Sequence, residues 1–520
     1  MSMIRAIAAI AVVFALSAVT ADATAKQNTH SYFYEDVLGT SLEIQVKADS
    51  PVWARLMENS VRQEIKRLDA VFSTYDSDSE ISRWMASTDS TTSVSPELFE
   101  LLQRFQHWHH ISHGALNPAL GSLIQRWQEA EATNQLPSTG ELQTLAKPIQ
   151  NAWWTLSADR KATPKTNQRL TLDAAAKGYI IDKACEAAWK QRNEPHVARS
   201  VTGLLVNIGG DLRTMGDMSV QVKVADPFQD ADNQPPIDVL RLTNRAVATS
   251  GNYRRGFQVG KTFYSHIFDP RTGQPANHIA SATVVSTNTA EADAFATIFS
   301  VLPPRQSLEL ADGTEDVECL VVDAAGKVYS SSGWAQYSES ATRTVAQVTD
   351  AKEDSVDSQP WNGGMELTVD FEINRPGGGR SHRPYVAVWV EDKDGFPIRT
   401  LALYRQTDGP GPRWHRDLRR WFKNDQMRQL VDTTDVISTI SVATRPPGKY
   451  KVVWNGKDDS GKLVKPGKYT VFVEAAREHG TYQLIKKELE FAETPFAEKL
   501  DGNVEIKAAF LKYEKAAKRK

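Results

Sequence analysis

The sequence predicts two folded parts in series: a mixed α/β or α+β domain, followed by an all-β sandwich. Three observations predict this. Strand-like and helix-like periodicities interleave as far as about residue 335. Between Ser338 and Pro360 the composition turns to Ser, Thr, Asp, Glu and Gln with few large apolar residues. Beyond that, short alternating runs recur between Gly, Pro and Asp turns. A chain of 520 residues fits two or three domains, and 41% hydrophobic with 24% charged residues supplies ordinary cores. A formal charge of −3 gives no electrostatic footprint for nucleic acid.

The first element is not expected to belong to the mature fold. Arg5 precedes an unbroken small and apolar run, Ala6–Val19, followed by small residues through Ala25, which reads as a cleaved secretory leader over 1–25. The expected location is therefore a bacterial periplasm, and no later stretch offers the roughly 20 apolar residues of a spanning helix. The run S-Y-F-Y-E-D-V-L-G-T-S-L-E-I-Q-V-K (31–47) alternates as a strand with Gly39 as a break. Helical spacing follows at 51–71, 97–111 and 118–130, then at 174–191 and 289–301. Strand-like runs lie at 203–208, 219–224, 245–248, 262–268, 281–286 and 317–322. Cys185 and Cys319 sit in apolar settings and are too few for a disulfide framework; buried free thiols are expected, with one long-range bridge as the alternative. The domain so defined runs over 26–337 and is followed by a linker at 338–362.

Four stretches hold more Gly, His and Asp than packing requires. In L-T-L-D-A-A-A-K-G-Y-I-I-D (170–182) small residues lead into a helix, and Lys177 adds positive charge beside its first amides, which suits a phosphate; a merely exposed Lys is the alternative. In L-L-V-N-I-G-G-D-L-R (204–213) a turn explains Gly209 and Gly210 but not Asn207. A-V-A-T-S-G-N-Y-R-R (246–255) precedes Y-S-H-I-F-D-P-R-T-G-Q-P (264–275), where D-P-R-T-G is a turn and His266 is either packed or poised. In T-A-E-A-D-A-F-A-T-I-F-S (289–300), Asp293 and Thr297 share one helix face. Either Thr289 caps that helix while its acids complement the positive end, or a carboxylate and a hydroxyl one turn apart await a hard cation.

Taken in order, with V-L-G-T (37–40), F-S-T-Y-D-S-D-S-E-I-S-R (72–83) and H-G-A-L-N-P (113–118), these stretches resemble the ApbE-like family of FAD:protein FMN transferases over about residues 31–335. The resemblance implies an α+β domain holding FAD between two subdomains. It places Leu38 and Tyr75 against the nucleotide, with Ala115, Leu116 and Asn117 lining it, and Thr171, Lys177 and Ile267 in further contact. It assigns Mg2+ to the Ala174 carbonyl, Asp293 and Thr297, with Ala296 beside them. Leu38 stands where the family usually has Met, Asn117 and Thr171 where it has Asp, and Met85 where Asn follows S-E-I-S-R. The implied reaction moves FMN from FAD to a Thr or Ser of another exported protein, with AMP leaving. That step needs charge neutralisation on the pyrophosphate and a base for the acceptor hydroxyl. His266 has a suitable ordinary pKa of about 6.5, and Asp173 is a second candidate. Acceptors in this family carry an Asp-x-x-(Thr/Ser)-Gly-Ala-(Thr/Ser) type motif that this chain lacks, so it is expected to be the modifier. Water as acceptor would make the same site a FAD pyrophosphatase, and a non-catalytic flavin-binding scaffold is a third possibility.

The second domain, 363–496, has strand-like runs at 364–372, 384–391, 397–404, 436–442, 449–454 and 468–475. P-G-K-Y-K-V-V (447–453) and P-G-K-Y-T-V-F (466–472) read as the two arms of one hairpin around an Asp/Gly turn. The stretch W-N-G-K-D-D-S-G-K-L-V-K-P-G-K-Y-T-V-F-V-E-A (454–475) looks like the hairpin of Ig-like domains in flagellar hook-cap proteins, so an Ig-like sandwich is expected. R-W-H-R-D-L-R-R-W-F (413–422) is either a docking segment or packed on the sandwich, and 497–520 reads as a solvated basic tail.

Overall fold

The computed structural model describes residues 28–149, 153–166, 169–229, 231–252, 256–339, 364–375, 383–405, 417–429, 437, 440–442, 444–477, 481–492 and 494–516. The expected leader and residues 340–362 of the expected linker lie outside these.

An eight-stranded sheet forms the first domain, in the order Asn28–Val37, Thr40–Ala48, Val201–Ile208, Asp211–Gly216, Ala246–Gly251, Ile279–Ser286, Glu318–Asp323 and Val328–Ser330. Every neighbouring pair is antiparallel, which makes the domain α+β. Alternation decides which side chains face inward: Leu42, Ile44, Val46 and Ala48 are buried at every second position. In Ile279–Ser286 every position is buried, because both faces of the sheet are covered there. Helices Pro51–Phe72, Ala176–Lys190 and Thr289–Val301 share one hydrophobic core with one face. The hairpin Ser219–Val224/Asp238–Thr243 shares a smaller core with Leu212, Val247, Val285 and Leu320 on the other. The expected break at Gly39 is a tight turn, with Leu38 at φ 50° and Gly39 at φ 74°, a pairing that suits a two-residue hairpin loop.

Helices Pro96–Ile111, Gly121–Thr133 and Thr139–Ile149, with a three-stranded sheet, lie in the sequence between the large sheet's strands Thr40–Ala48 and Val201–Ile208. Trp127 packs against the rings of Phe257, Tyr264 and Phe268 and ties the later hairpin to this helical part. The helix expected over 118–130 starts at Gly121, after Pro118. The strand expected over 262–268 stops at Ser265 and resumes as Phe268–Asp269, leaving His266 exposed in the break. Cys185 and Cys319 are buried and free.

The second domain is an all-β sandwich. A four-stranded sheet orders Gly448–Trp454, Met365–Ile373, Ile506–Lys515 and Phe496–Asp501; a five-stranded sheet orders Ser441–Val442, Pro397–Tyr404, Tyr385–Asp392, Gly467–Ala476 and Tyr482–Phe491. Their inner faces share one core. Leu418 and Trp421, at the start of helix Arg419–Gln429, pack on the outer face of the five-stranded sheet, so the described part of 413–422 is packed.

Three expectations for this domain are corrected. The 447–453 and 466–472 runs are not one hairpin: the first pairs with Met365–Ile373 and the second with Tyr385–Asp392, in opposite sheets. Their shared Pro-Gly-Lys-Tyr start is a strand-entry signal, and the Asp/Gly stretch crosses between sheets. The described part of the expected tail, 497–516, is not a solvated tail, because Ile506–Lys515 is an interior strand paired along nearly all of Met365–Ile373; residues 517–520 lie outside the described residues. Its Lys and Glu residues occupy the outward positions while Ile506, Ala509, Leu511 and Tyr513 are buried, so charge concealed a period of two. Of the strand expected at 436–442, the described residues form one only at Ser441–Val442, parallel to Leu403–Tyr404.

Candidate active site

Two helices meet at the centre of the first domain because one residue lacks a side chain. A Cβ on Gly178 would lie 2.4 Å from the Thr289 carbonyl oxygen and 2.8 Å from the Ala290 Cα. Only glycine therefore lets the first turn of Ala176–Lys190 touch the first turn of Thr289–Val301. One helical turn after Gly178, the buried carboxylate of Asp182 accepts from the Thr289 amide at 2.8 Å and the Ala290 amide at 2.9 Å. Arg213 Nη1 donates to the same carboxylate at 2.9 Å. Asp182 thus satisfies amides that a helix start leaves open. The cap itself is Asn288, whose Oδ1 accepts from the Glu291 amide at 2.9 Å, and Thr289 is buried beneath it; the expected Thr289 cap is corrected accordingly. Asp182 was not singled out in the sequence, although a carboxylate four residues after a glycine on an apolar helix face is a readable signal.

Asp293 is held differently. Its side chain is buried, the Gly178 amide donates to its carboxylate, and its Oδ2 accepts no hydrogen bond among the described residues. Burial pushes its pKa well above the ordinary carboxylate range, and the nearby Asp211 and Asp173 push it further; Lys177 and the Gly178 amide pull it down. Lys177 Nζ lies 2.6 Å from Asp211 Oδ2, so the one lysine among these groups is shared with a second buried acid. Three carboxylates against one ammonium leave the centre short of positive charge. Thr297 follows one turn after Asp293 and lies 3.5 Å, oxygen to oxygen, from Ser250.

Among the described residues no group of three or more His, Cys, Asp or Glu side chains converges on a common metal position. A site made of one carboxylate, one hydroxyl and one backbone carbonyl is a different kind of site. The unsatisfied Oδ2 of Asp293 and the Thr297 hydroxyl on the same face fit the oxygen donors a hard cation takes, with water completing the shell. Ala290, Ala292, Ala294 and Ala296 are completely buried against the core. Their small size serves close helix packing, and Ala296 offers only its carbonyl, which accepts from Ser300 Oγ at 2.8 Å.

The remaining candidates lie on loops joined to this centre. Thr171 donates its amide to the Pro118 carbonyl at 2.8 Å, which joins the Ala115–Leu116–Asn117 loop to the turn containing Asp173 and Ala174. Asn117 is buried and its amide group is already engaged: Nδ2 donates to the Ile149 carbonyl at 3.1 Å and Oδ1 accepts from the Ala119 amide at 2.9 Å. An Asp in its place would lose the first of these bonds. Asn207 Oδ1 accepts from the Gly210 amide at 3.0 Å and shapes the turn that delivers Asp211. The Gly209 amide donates to the Ser41 carbonyl at 3.0 Å, which sets the Leu38 hairpin beside that turn. Ile267 is buried, with its carbonyl accepting from the Ala276 amide. Tyr75 and His266 are exposed, Tyr75 to 87%, a large ring surface that no core covers among the described residues.

Comparison with known proteins matches each of the two domains to a family. The ApbE family model matches residues 38–321, and a second family, described as a predicted periplasmic protein, matches residues 366–508. A Klebsiella pneumoniae protein named FAD:protein FMN transferase is 28% identical over 233 residues, covering 44% of this chain and 70% of its own length. A protein of the same name from Chlamydia muridarum is 28% identical over 284 residues, covering 52% and 82%. The crystal structure of the ApbE protein of Thermotoga maritima superposes with a TM-score of 0.52 at 26% identity, covering 59% of this chain and 99% of that one.

Proposed function

Because this chain belongs to the ApbE family, we propose that it is an FAD:protein FMN transferase that attaches FMN to a Thr or Ser of exported or membrane flavoproteins. The observation that carries the proposal is the buried carboxylate of Asp293, one oxygen unsatisfied, with a hydroxyl one turn away. A buried carboxylate left this way is unfavourable unless a cation or a proton completes it. The residues proposed to hold Mg2+ are Asp293, Thr297 and the Ala174 carbonyl, beside Ala296. When bound, the ion would neutralise charge on the pyrophosphate of FAD.

The chain's own groups would do the rest. Lys177, at the start of Ala176–Lys190, adds positive charge where the phosphates would lie. Leu38, Tyr75, Ala115, Leu116, Asn117, Thr171 and Ile267 are proposed to line the nucleotide, and the 87% exposure of Tyr75 leaves its ring face open for stacking. In the proposed step the acceptor Oγ forms a bond to the flavin-side phosphorus, and the bond from that phosphorus to the bridging oxygen breaks. AMP leaves with that oxygen and its electron pair, and the hydroxyl proton passes to His266, with Asp173 as the other candidate base. Acceptors would carry the Asp-x-x-(Thr/Ser)-Gly-Ala-(Thr/Ser) type motif. A periplasmic location, reached through the leader at 1–25, is supported by the description of the second matched family.

The test is incubation of the chain with FAD, Mg2+ and an acceptor peptide, followed by mass spectrometry. Peptide carrying FMN together with AMP is the expected result, and His266→Ala should abolish transfer while FAD still binds. Free FMN without modified peptide would replace transfer by hydrolysis, and unchanged FAD would remove the catalytic reading.

A further inference from the structure

The second domain grips the hairpin that carries Leu38. Arg383 is 8% exposed; its Nε donates to Glu35 at 3.0 Å, its Nη1 to the Thr444 carbonyl at 3.3 Å, and its guanidinium lies 4.6 Å from the Phe33 ring centre. Arg375 Nη1 donates to Asp36 at 2.8 Å. Both acids belong to the strand Asn28–Val37, immediately before Leu38. This stretch is irregular, with a register shift between Tyr34 and Val37 and with Asp36 at φ 62° and Leu38 at φ 50°. Non-glycine residues hold left-handed backbone only where their surroundings over-determine it. On its other side the hairpin meets the Gly209–Gly210 turn, where a Cβ on Gly209 would lie 2.8 Å from Thr40, and that turn leads to Asp211 and its partner Lys177.

A second contact joins the two domains. Asp232 and Asn233, in the loop between Ser219–Val224 and Asp238–Thr243, pair with the outer edge of strand Gly448–Trp454. The Asp232 amide donates to the Lys451 carbonyl at 2.7 Å and its carboxylate accepts from the Lys451 amide at 3.2 Å. Asn233 donates from Nδ2 to the Val453 carbonyl at 2.7 Å and accepts at Oδ1 from the Val453 amide at 2.9 Å. An edge strand's open backbone groups are thus covered by a turn of the first domain, mostly through its side chains.

We propose that Arg383, assisted by Arg375, is a positioning residue for the flavin site: the second domain holds the Glu35–Leu38 hairpin in its left-handed turn and so sets affinity for FAD. The proposal rests on the reading of Leu38 as a wall of the FAD site. The planar guanidinium gives Nε to Glu35 and Nη1 to the Thr444 carbonyl, so its rigid geometry ties the hairpin to the second domain's backbone, which a flexible point charge does not do. The second domain is, on this account, part of the nucleotide site's frame.

The test measures FAD binding by flavin fluorescence and, separately, KM and kcat for transfer, in the full chain. Glu35→Gln and Arg383→Met should each weaken FAD binding and raise KM for FAD about fivefold or more with kcat nearly unchanged, and the double variant should be no worse than either single one. Arg383→Lys should lie between Arg383→Met and the unaltered chain. FAD affinity unchanged in Glu35→Gln, which keeps the side chain's shape and should fold, would overturn the proposal, as would additive losses in the double variant. If the unaltered chain binds FAD but transfers nothing, the transferase reading fails while the binding measurements still decide this one.

Discussion

Asp293 and Asp182 are both buried acids at the same helix junction, and their surroundings divide them into two kinds. Asp182 accepts from two amides and an arginine, which suits a carboxylate that holds the helix start in place. Asp293 has one oxygen without a partner among the described residues and two acids nearby, which suits a group waiting for a cation. A third buried acid gives a pH prediction. Burial raises the pKa of Asp459 to about 6, while Arg399 and the Thr400 amide pull the other way. The folded chain therefore holds a proton that the unfolded chain releases near pH 4, and Asp459's contribution to stability falls as pH rises from about 4 through about 6. Melting of the second domain should decline over that window, and Asp459→Asn should flatten the decline; an unchanged slope would show that the carboxylate is not strained by burial. The adjacent Asp458 forms the expected turn, accepting from the Ser460 and Lys462 amides at 2.9 Å each.

At the scale of elements, the junction of Ala176–Lys190 with Thr289–Val301 depends on a missing side chain. Gly178→Ala would drive a methyl group into the Thr289 carbonyl and should cost about 1–3 kcal/mol, read as a lower denaturation midpoint with an unchanged slope. It should also shift the Gly178 amide away from Asp293 and weaken metal-dependent activity beyond the stability loss. These helices were legible in the sequence because their apolar spacing is long and regular, and the strands at 203–208, 281–286 and 317–322 because they are short apolar runs. The crossing was not legible, since A-A-A-K-G states only that small residues are present, not which backbone they approach. Asn207 shows the same limit: its type suggested a role, but the Gly210 amide it binds was not predictable from spacing. The hairpin expected at 447–472 failed because a shared strand start says nothing about which sheet each strand joins.

At the scale of the whole molecule, the sandwich closes through the segment that looked most like a tail. Ending the chain after Asp501 removes Ile506–Lys515, the strand between Met365–Ile373 and Phe496–Asp501, and should abolish the second domain's cooperative melting; a dispensable tail would leave that transition intact. The two-part organisation was readable from composition, whereas the docking of one part on the other was not, because it depends on isolated residues such as Glu35, Asp232, Asn233 and Arg383 that form no periodic pattern. The central claim concerns the acid-rich centre between the paired helices, and it is tested by titrating Mg2+ into the transfer reaction of the unaltered chain and of Asp293→Asn. The account predicts saturable Mg2+ dependence in the first. In the second it predicts activity lost at every Mg2+ concentration, while the metal-free melting temperature is not lowered, because Asn replaces a buried carboxyl group whose charged form burial disfavours. Asp293→Asn with full activity and the same Mg2+ dependence would contradict it.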